Sequence, residues 1–235
     1  MATRATSSIP LWRLRTLRRT VFESFGSDRF SRPSPYHLER KLLKYFDGPG
    51  VFVEAGAVDG FFESNTYYLE RFLDWRGILI EPLPAMFRRI RVNRPSARAF
   101  NCALVAFDYA RATVTLTGAH ALTRVSTADE PHGGVSGSAG IESGQLIEVP
   151  ARTLQSVLQE ANVNRVDLLS LDVEGYERQV LLGLDFGVVA PRYILVECLD
   201  EEKRSEIEAT LQARYQLVEQ FSHRDFLFRV DGADV

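Results

Sequence analysis

The sequence predicts an α/β fold, a mostly parallel, doubly wound sheet with helices on both faces and an antiparallel pair at its end. Three observations carry this expectation. Short apolar runs alternate with helix-patterned segments through most of the chain. The runs at 51–55, 78–81, 166–172 and 193–197 end at or beside Glu54, Glu81, Asp172 and Glu197. A buried parallel strand delivers a charged group to the carboxyl edge of a sheet in this way. The last two runs, 215–221 and 225–230, are separated only by Ser222-His223-Arg224, a hairpin-like finish.

The elements follow in chain order. Leu11, Leu14, Leu17, Val21, Phe22 and Phe25 recur at helical spacing among Arg4, Arg13, Arg15, Arg18 and Arg19, all ahead of the first acidic residue, Glu23. This predicts a basic amphipathic helix within residues 4–25. The preferred reading packs it on the domain or on the partner of a homodimer; the alternative lays it on an anionic membrane surface. Ser31-Arg32-Pro33-Ser34-Pro35 reads as a linker, so residues 1–35 form one unit and 36–235 the main domain. A second helix is expected over 36–46, broken by Asp47-Gly48-Pro49-Gly50. The core then runs through strand 51–55, helix 64–75, strand 78–81, a helix between Pro84 and Pro95, and strand 97–106. Residues 107–150 read as a lid-like insertion. Within it 112–117 alternates like a half-exposed strand, 123–144 is a long serine- and glycine-rich loop, and 145–151 is strand-like. Thr153 suits the cap of a helix over 154–161. Strand 166–171, helix 176–184, strand 193–197, a charged helix over 201–214 and the hairpin complete the chain.

Bulk properties narrow the function. With 235 residues and 45% hydrophobic content the chain can bury one sizeable core. A formal charge of -3 provides no global field for nucleic acid, so no nucleic-acid partner is expected. Cys102 and Cys198 are too few for a disulfide framework or a zinc site and read as buried thiols. No apolar stretch is long enough to span a bilayer, and the arginines of residues 4–19 replace the apolar core of a secretory leader. The expected location is cytoplasmic, at the inner membrane face if the basic helix docks there.

The loop Glu54-Ala55-Gly56-Ala57-Val58-Asp59-Gly60 has glycines at 56 and 60 only, not the G-x-G-x-x-G that admits a pyrophosphate. A carboxylate at that strand end repels a diphosphate but suits a cationic ligand, such as the amino acid portion of S-adenosylmethionine. Glu81, at the next strand end, is placed to hold both hydroxyls of a ribose. Leu171-Asp172-Val173-Glu174-Gly175 is the richest acidic cluster, where Asp172 and Glu174 could orient a reacting hydroxyl or take its proton. His223 is a further candidate base, and His120 and His132 are weaker ones in or near the insertion. Asp172 with Glu197 would suit oxygen ligation of Mg2+ or Mn2+.

Taken in order, Phe52-Val53-Glu54-Ala55-Gly56-Ala57-Val58-Asp59-Gly60, Ser64-Asn65-Thr66, Leu79-Ile80-Glu81-Pro82, Asn101-Cys102-Ala103-Leu104 and Leu171-Asp172-Val173-Glu174-Gly175-Tyr176-Glu177 resemble FkbM-type methyltransferases over roughly residues 50–230. The resemblance implies the class I S-adenosylmethionine-dependent methyltransferase sheet, seven strands with the last antiparallel. It also implies O-methylation of a sugar, glycolipid or secondary-metabolite hydroxyl. By position, Glu54, Gly56, Asp59 and Gly60 would form the cofactor loop, with Asn65 and Thr66 beside the methionine portion. Glu81 would hold the ribose, Asn101, Cys102 and Ala103 would border the adenine, and Asp172 and Glu174 would face the methyl. The rivals are a nicotinamide-dependent oxidoreductase, disfavoured by the missing glycine motif, and a non-catalytic scaffold on the same sheet.

Overall fold

The computed structural model describes residues 10–117, 124–125 and 146–232. Helices α1 (Leu11–Ser24) and α2 (Leu38–Leu42) lead into strand β1 (Val51–Ala55), helix α3 (Tyr67–Phe72), strand β2 (Arg76–Ile80), helix α4 (Pro84–Asn93) and strand β3 (Arg98–Phe100). Strands β4 (Ala103–Leu104), β5 (Thr113–Thr117), β6 (Arg124–Val125) and β7 (Leu146–Arg152) follow. Helix α5 (Leu154–Ala161), strand β8 (Leu168–Leu171), helix α6 (Glu177–Leu181), strand β9 (Tyr193–Glu197), helix α7 (Glu201–Leu211) and strands β10 (Tyr215–Gln220) and β11 (Asp225–Val230) end the described chain.

The main sheet has seven strands in the order β10-β11-β9-β8-β1-β2-β3. β1 pairs in parallel with both β2 and β8, while β11 runs antiparallel to β9 and β10. This is the predicted class I methyltransferase sheet. Strand order reverses between β1 and β8, the switch point where ligands bind beyond the carboxyl ends of an open sheet. Alternate residues feed two cores. Val53, Ile78, Leu169 and Ile194 face one layer of helices, and Phe52, Leu79, Leu168 and Leu195 face the other.

Four elements depart from expectation. The helix over 36–46 is broken, because Tyr36 and His37 adopt left-handed backbone at φ 50° and 57° and only α2 is regular. The helix expected over 64–75 shortens to α3, since Ser64, Asn65 and Thr66 commit their polar groups to Glu54. The strand expected over 97–106 divides into β3, in the main sheet, and β4, which joins a second sheet of order β4-β7-β5-β6. Asn101 marks the division by donating to the carbonyls of Glu81 and Pro82, at 2.8 Å each. The stretch 123–144, apart from β6, and both His120 and His132 lie outside the described residues.

The fourth departure is the polarity of α1. Arg19 and Glu23, not the leucines, are buried against the domain. Arg19 donates to Asn93 at 2.9 Å, and its guanidinium lies 3.7 Å from the centre of the Phe61 ring. Glu23 accepts from Ser31, Tyr67 and Arg71. Leu11, Leu14, Leu17, Val21 and Phe25 face outward.

Candidate functional site

A cavity of about 290 Å3 opens at the carboxyl edge of the main sheet, beside the switch point. Its walls are apolar, built from Ile80, Met86, Leu104, Leu116 and Val180, with the carboxylates Glu54, Glu63, Glu81, Asp172 and Glu174 around them. Leu116 comes from β5, so the second sheet supplies one wall.

Three residues in the cavity lining adopt left-handed backbone without being glycine: Val58 (φ 48°), Glu63 (φ 55°) and Glu174 (φ 59°). Such strain is costly, above all for β-branched Val58, and survives only where neighbours over-determine it. At Val58 the compensation is visible, for its amide donates to Glu81 Oε2 at 2.9 Å. The Leu83 amide donates to the other oxygen, Oε1, at 2.8 Å. Burial nevertheless raises the Glu81 carboxyl to about 8, opposed by those two amides and assisted by nearby Asp59. Glu81 is thus a buried acceptor whose recorded partners are backbone amides.

Asp172 follows β8 and is raised well above the usual carboxylate range, first by burial, then by the charges of Glu197 and Glu174. Glu197 lies beside it, and that second carboxyl disfavours ionisation of Asp172. The backbone here is packed without slack. Gly56 has φ +83°, and a Cβ on it would fall 1.7 Å from the Asp172 carbonyl oxygen. The amides of Gly56 and Ala57 both donate to Ile80 O, at 3.1 and 3.2 Å, tying the loop after β1 to the end of β2.

Glu54 faces the cavity from a network that reaches deep into the domain. Its carboxylate accepts from Ser64 Oγ, Thr66 Oγ1 and the Asn65 amide, each at 2.8 Å. Arg94, only 2% exposed, stands behind it. The guanidinium lies 3.7 Å from Glu54 and 2.6 Å from Glu70, and donates to Gly60 O, Ser64 and Thr66. Asn65 lines the cavity and bridges Ser170 and Ser34 through its side chain.

Of the residues expected at the cofactor, Glu54, Gly56, Asn65, Glu81, Cys102, Ala103 and Asp172 share the cavity wall. Burial raises the Cys102 thiol to about 12, so it forms neutral wall. Four others stand behind the wall. Asp59 caps the amides of Phe61 and Phe62 at 2.9 and 2.7 Å. Gly60 packs on Ile90 and Arg94, Thr66 is spent on Glu54, and Asn101 holds the break between β3 and β4. Of the candidate bases, Glu174 lines the cavity. His223 does not: it is exposed in the β10–β11 turn, with its ring edge-on to Tyr36 at 5.6 Å. A hairpin tip turned to solvent explains that correction. Asp172 and Glu197 do meet, at the ends of the neighbouring strands β8 and β9. Among the described residues no group of three or more His, Cys, Asp and Glu side chains could hold a metal ion, so the Mg2+ or Mn2+ expectation gains no support.

Arg94, Glu63, Met86 and Leu116 were not singled out by sequence. Arg94 precedes Pro95 and reads only as a basic residue at a helix end; the sole clue is that the interior carboxylate Glu54 needs a cation.

The sequence matches the family described as Methyltransferase FkbM domain across residues 54–230. Among curated proteins none matches. Solved structures with similar folds include a TehB-like SAM-dependent methyltransferase from Corynebacterium glutamicum, at 9% identity and TM-score 0.47, covering 93% of this chain and 97% of that one. An O-methyltransferase from Bacillus cereus in complex with SAH aligns at 10% identity and TM-score 0.47, covering 96% and 93%. A 1,6-didemethyltoxoflavin-N1-methyltransferase from Burkholderia thailandensis, with S-adenosylhomocysteine bound, aligns at 11% identity and TM-score 0.42, covering 97% and 93%.

Proposed function

The chain belongs to the FkbM-domain methyltransferase family, and from that premise we propose that it is an S-adenosylmethionine-dependent O-methyltransferase whose acceptor is a hydroxyl of a sugar, glycolipid or related metabolite. The observation that carries the reading is the pair Glu81 and Asp172, two buried carboxyl groups on one largely apolar cavity. Each is held above its ordinary range by burial, and the charges beside them are acidic. That set suits a ligand offering hydroxyl donors and a positive charge, and it suits a diphosphate poorly.

When bound, S-adenosylmethionine supplies a methyl group on a sulfonium centre. Glu81 would accept from the ribose hydroxyls. Glu54, held by Ser64, Asn65 and Thr66, would offer a fixed carboxylate to the cationic methionine end. Met86, Leu104 and Leu116 exclude water, which strengthens these contacts. The cavity would hold donor and acceptor together, and alignment of the two would provide much of the acceleration. Asp172 or Glu174, in its ionised form, would take the proton shed by the acceptor hydroxyl.

Calorimetry with S-adenosylhomocysteine and, separately, with NAD tests the donor. Saturable uptake of the first alone is expected, and its absence would overturn the reading. Incubating glycan and glycolipid hydroxyl acceptors with methyl-labelled donor tests the chemistry. Label recovered in alkali-stable ethers is expected; label found only on nitrogen would defeat the O-methylation assignment.

A further inference from the structure

We propose that the outward face of α1 docks this protein on an anionic lipid bilayer, an interaction separate from the methyl-transfer cavity. Leu11, Leu14, Leu17, Val21 and Phe25 are 45% to 85% exposed. At about 100° per residue they form one stripe, roughly opposite the buried pair Arg19 and Glu23. The orientation is imposed by the domain. Arg19 is held by Asn93 and the Phe61 ring, and Glu23 by Ser31, Tyr67 and Arg71. Rolling the leucines inward would strip both charges of their partners. Among the described residues nothing covers the stripe.

Charge selects the occupant. Arg13 and Arg15 flank the stripe, Arg18 lies within it, and all three are exposed. The helix has one acidic residue, Glu23, and it is buried. Apolar side chains bordered by arginines match the boundary between acyl chains and anionic headgroups. A second copy of the chain fits poorly, since facing two such helices would set like charges against each other without an exposed acid on either. The 14-residue α1 lies on the surface and does not cross: no described helix is long and apolar enough to span a membrane. Phe61, beneath Arg19, is followed in sequence by the cavity-lining Phe62. Docking would therefore leave only the thickness of α1 between Phe61 and the bilayer.

The full chain should co-sediment with vesicles of phosphatidylcholine containing about one-third phosphatidylglycerol, and not with phosphatidylcholine alone. The exposed pair Leu14→Asp and Leu17→Asp should abolish sedimentation while leaving the melting temperature unchanged. Arg13→Gln with Arg15→Gln should weaken it about thirtyfold at low salt. Failure of the unmodified chain to bind anionic vesicles overturns the proposal, as does binding that survives the aspartates. Sedimentation velocity provides the other arm: a dimer dispersed by those aspartates would make the stripe a subunit interface instead.

Discussion

Glu81 spends both oxygens on the amides of Val58 and Leu83, yet burial still raises it to about 8. Glu81→Ala should weaken S-adenosylhomocysteine binding by ~1–3 kcal/mol in calorimetry, the range for losing a buried hydrogen-bonding partner. Ribose hydroxyls need the ionised form as acceptor, so affinity should rise with pH up to about 8 and then level off. A flat profile would reassign the ribose contact. Arg94→Leu acts through stability. It leaves Glu54 and Glu70 without their buried cation, and urea denaturation should register a loss of about 3–5 kcal/mol. Residues at strand ends, such as Glu54, Glu81 and Asp172, are legible because a carboxylate that closes an apolar run has few uses other than a ligand. Asp59, Gly60, Thr66 and Asn101 lie close to them in sequence and still miss the cavity. One residue of turn decides which side of the backbone a group serves, and spacing does not encode that.

At the level of elements, the parallel strands are legible because burial on both faces demands unbroken aliphatic runs. Helices were harder. α3 loses its first turn to the Glu54 network, and Asn101 splits one expected strand between two sheets. Both outcomes depend on partners far along the chain. Gly56 joins the loop after β1 to the loop after β8, so Gly56→Ala should push them apart. Beyond the ~1–2 kcal/mol of left-handed backbone, the collision with Asp172 O should lower the melting temperature and reduce S-adenosylhomocysteine affinity at least about tenfold. The attachment of α1 is testable alone. Glu23→Ala removes the acceptor for Ser31, Tyr67 and Arg71, and trypsin should then cleave at Arg13 and Arg15 faster than in the unmodified protein.

For the whole molecule, Glu63, Glu81, Asp172, Glu177 and Asp225 are all raised, with burial the first cause in each. A carboxyl whose folded value exceeds its unfolded one stabilises the protein below the unfolded value. That contribution fades as pH climbs through the folded value. For Glu81 the window runs from 4.5 to about 8. Thermal melts of the ligand-free protein should therefore decline across that range, and saturating S-adenosylhomocysteine should flatten the decline. The fold class was legible at this scale from strand and helix alternation alone. The inside-out orientation of α1 was not, because helical periodicity marks two faces without saying which one the domain will take.

That inverted helix also has a consequence in time. Arg19 leaves the ribosome before its buried acceptor Asn93 has been synthesised, and Tyr67 and Arg71 likewise come after Glu23. At ordinary elongation rates the delay between Arg19 and Asn93 is roughly 4–15 s. Throughout that interval the nascent segment has no native seat, and it can settle only once the central strands behind it have begun to assemble.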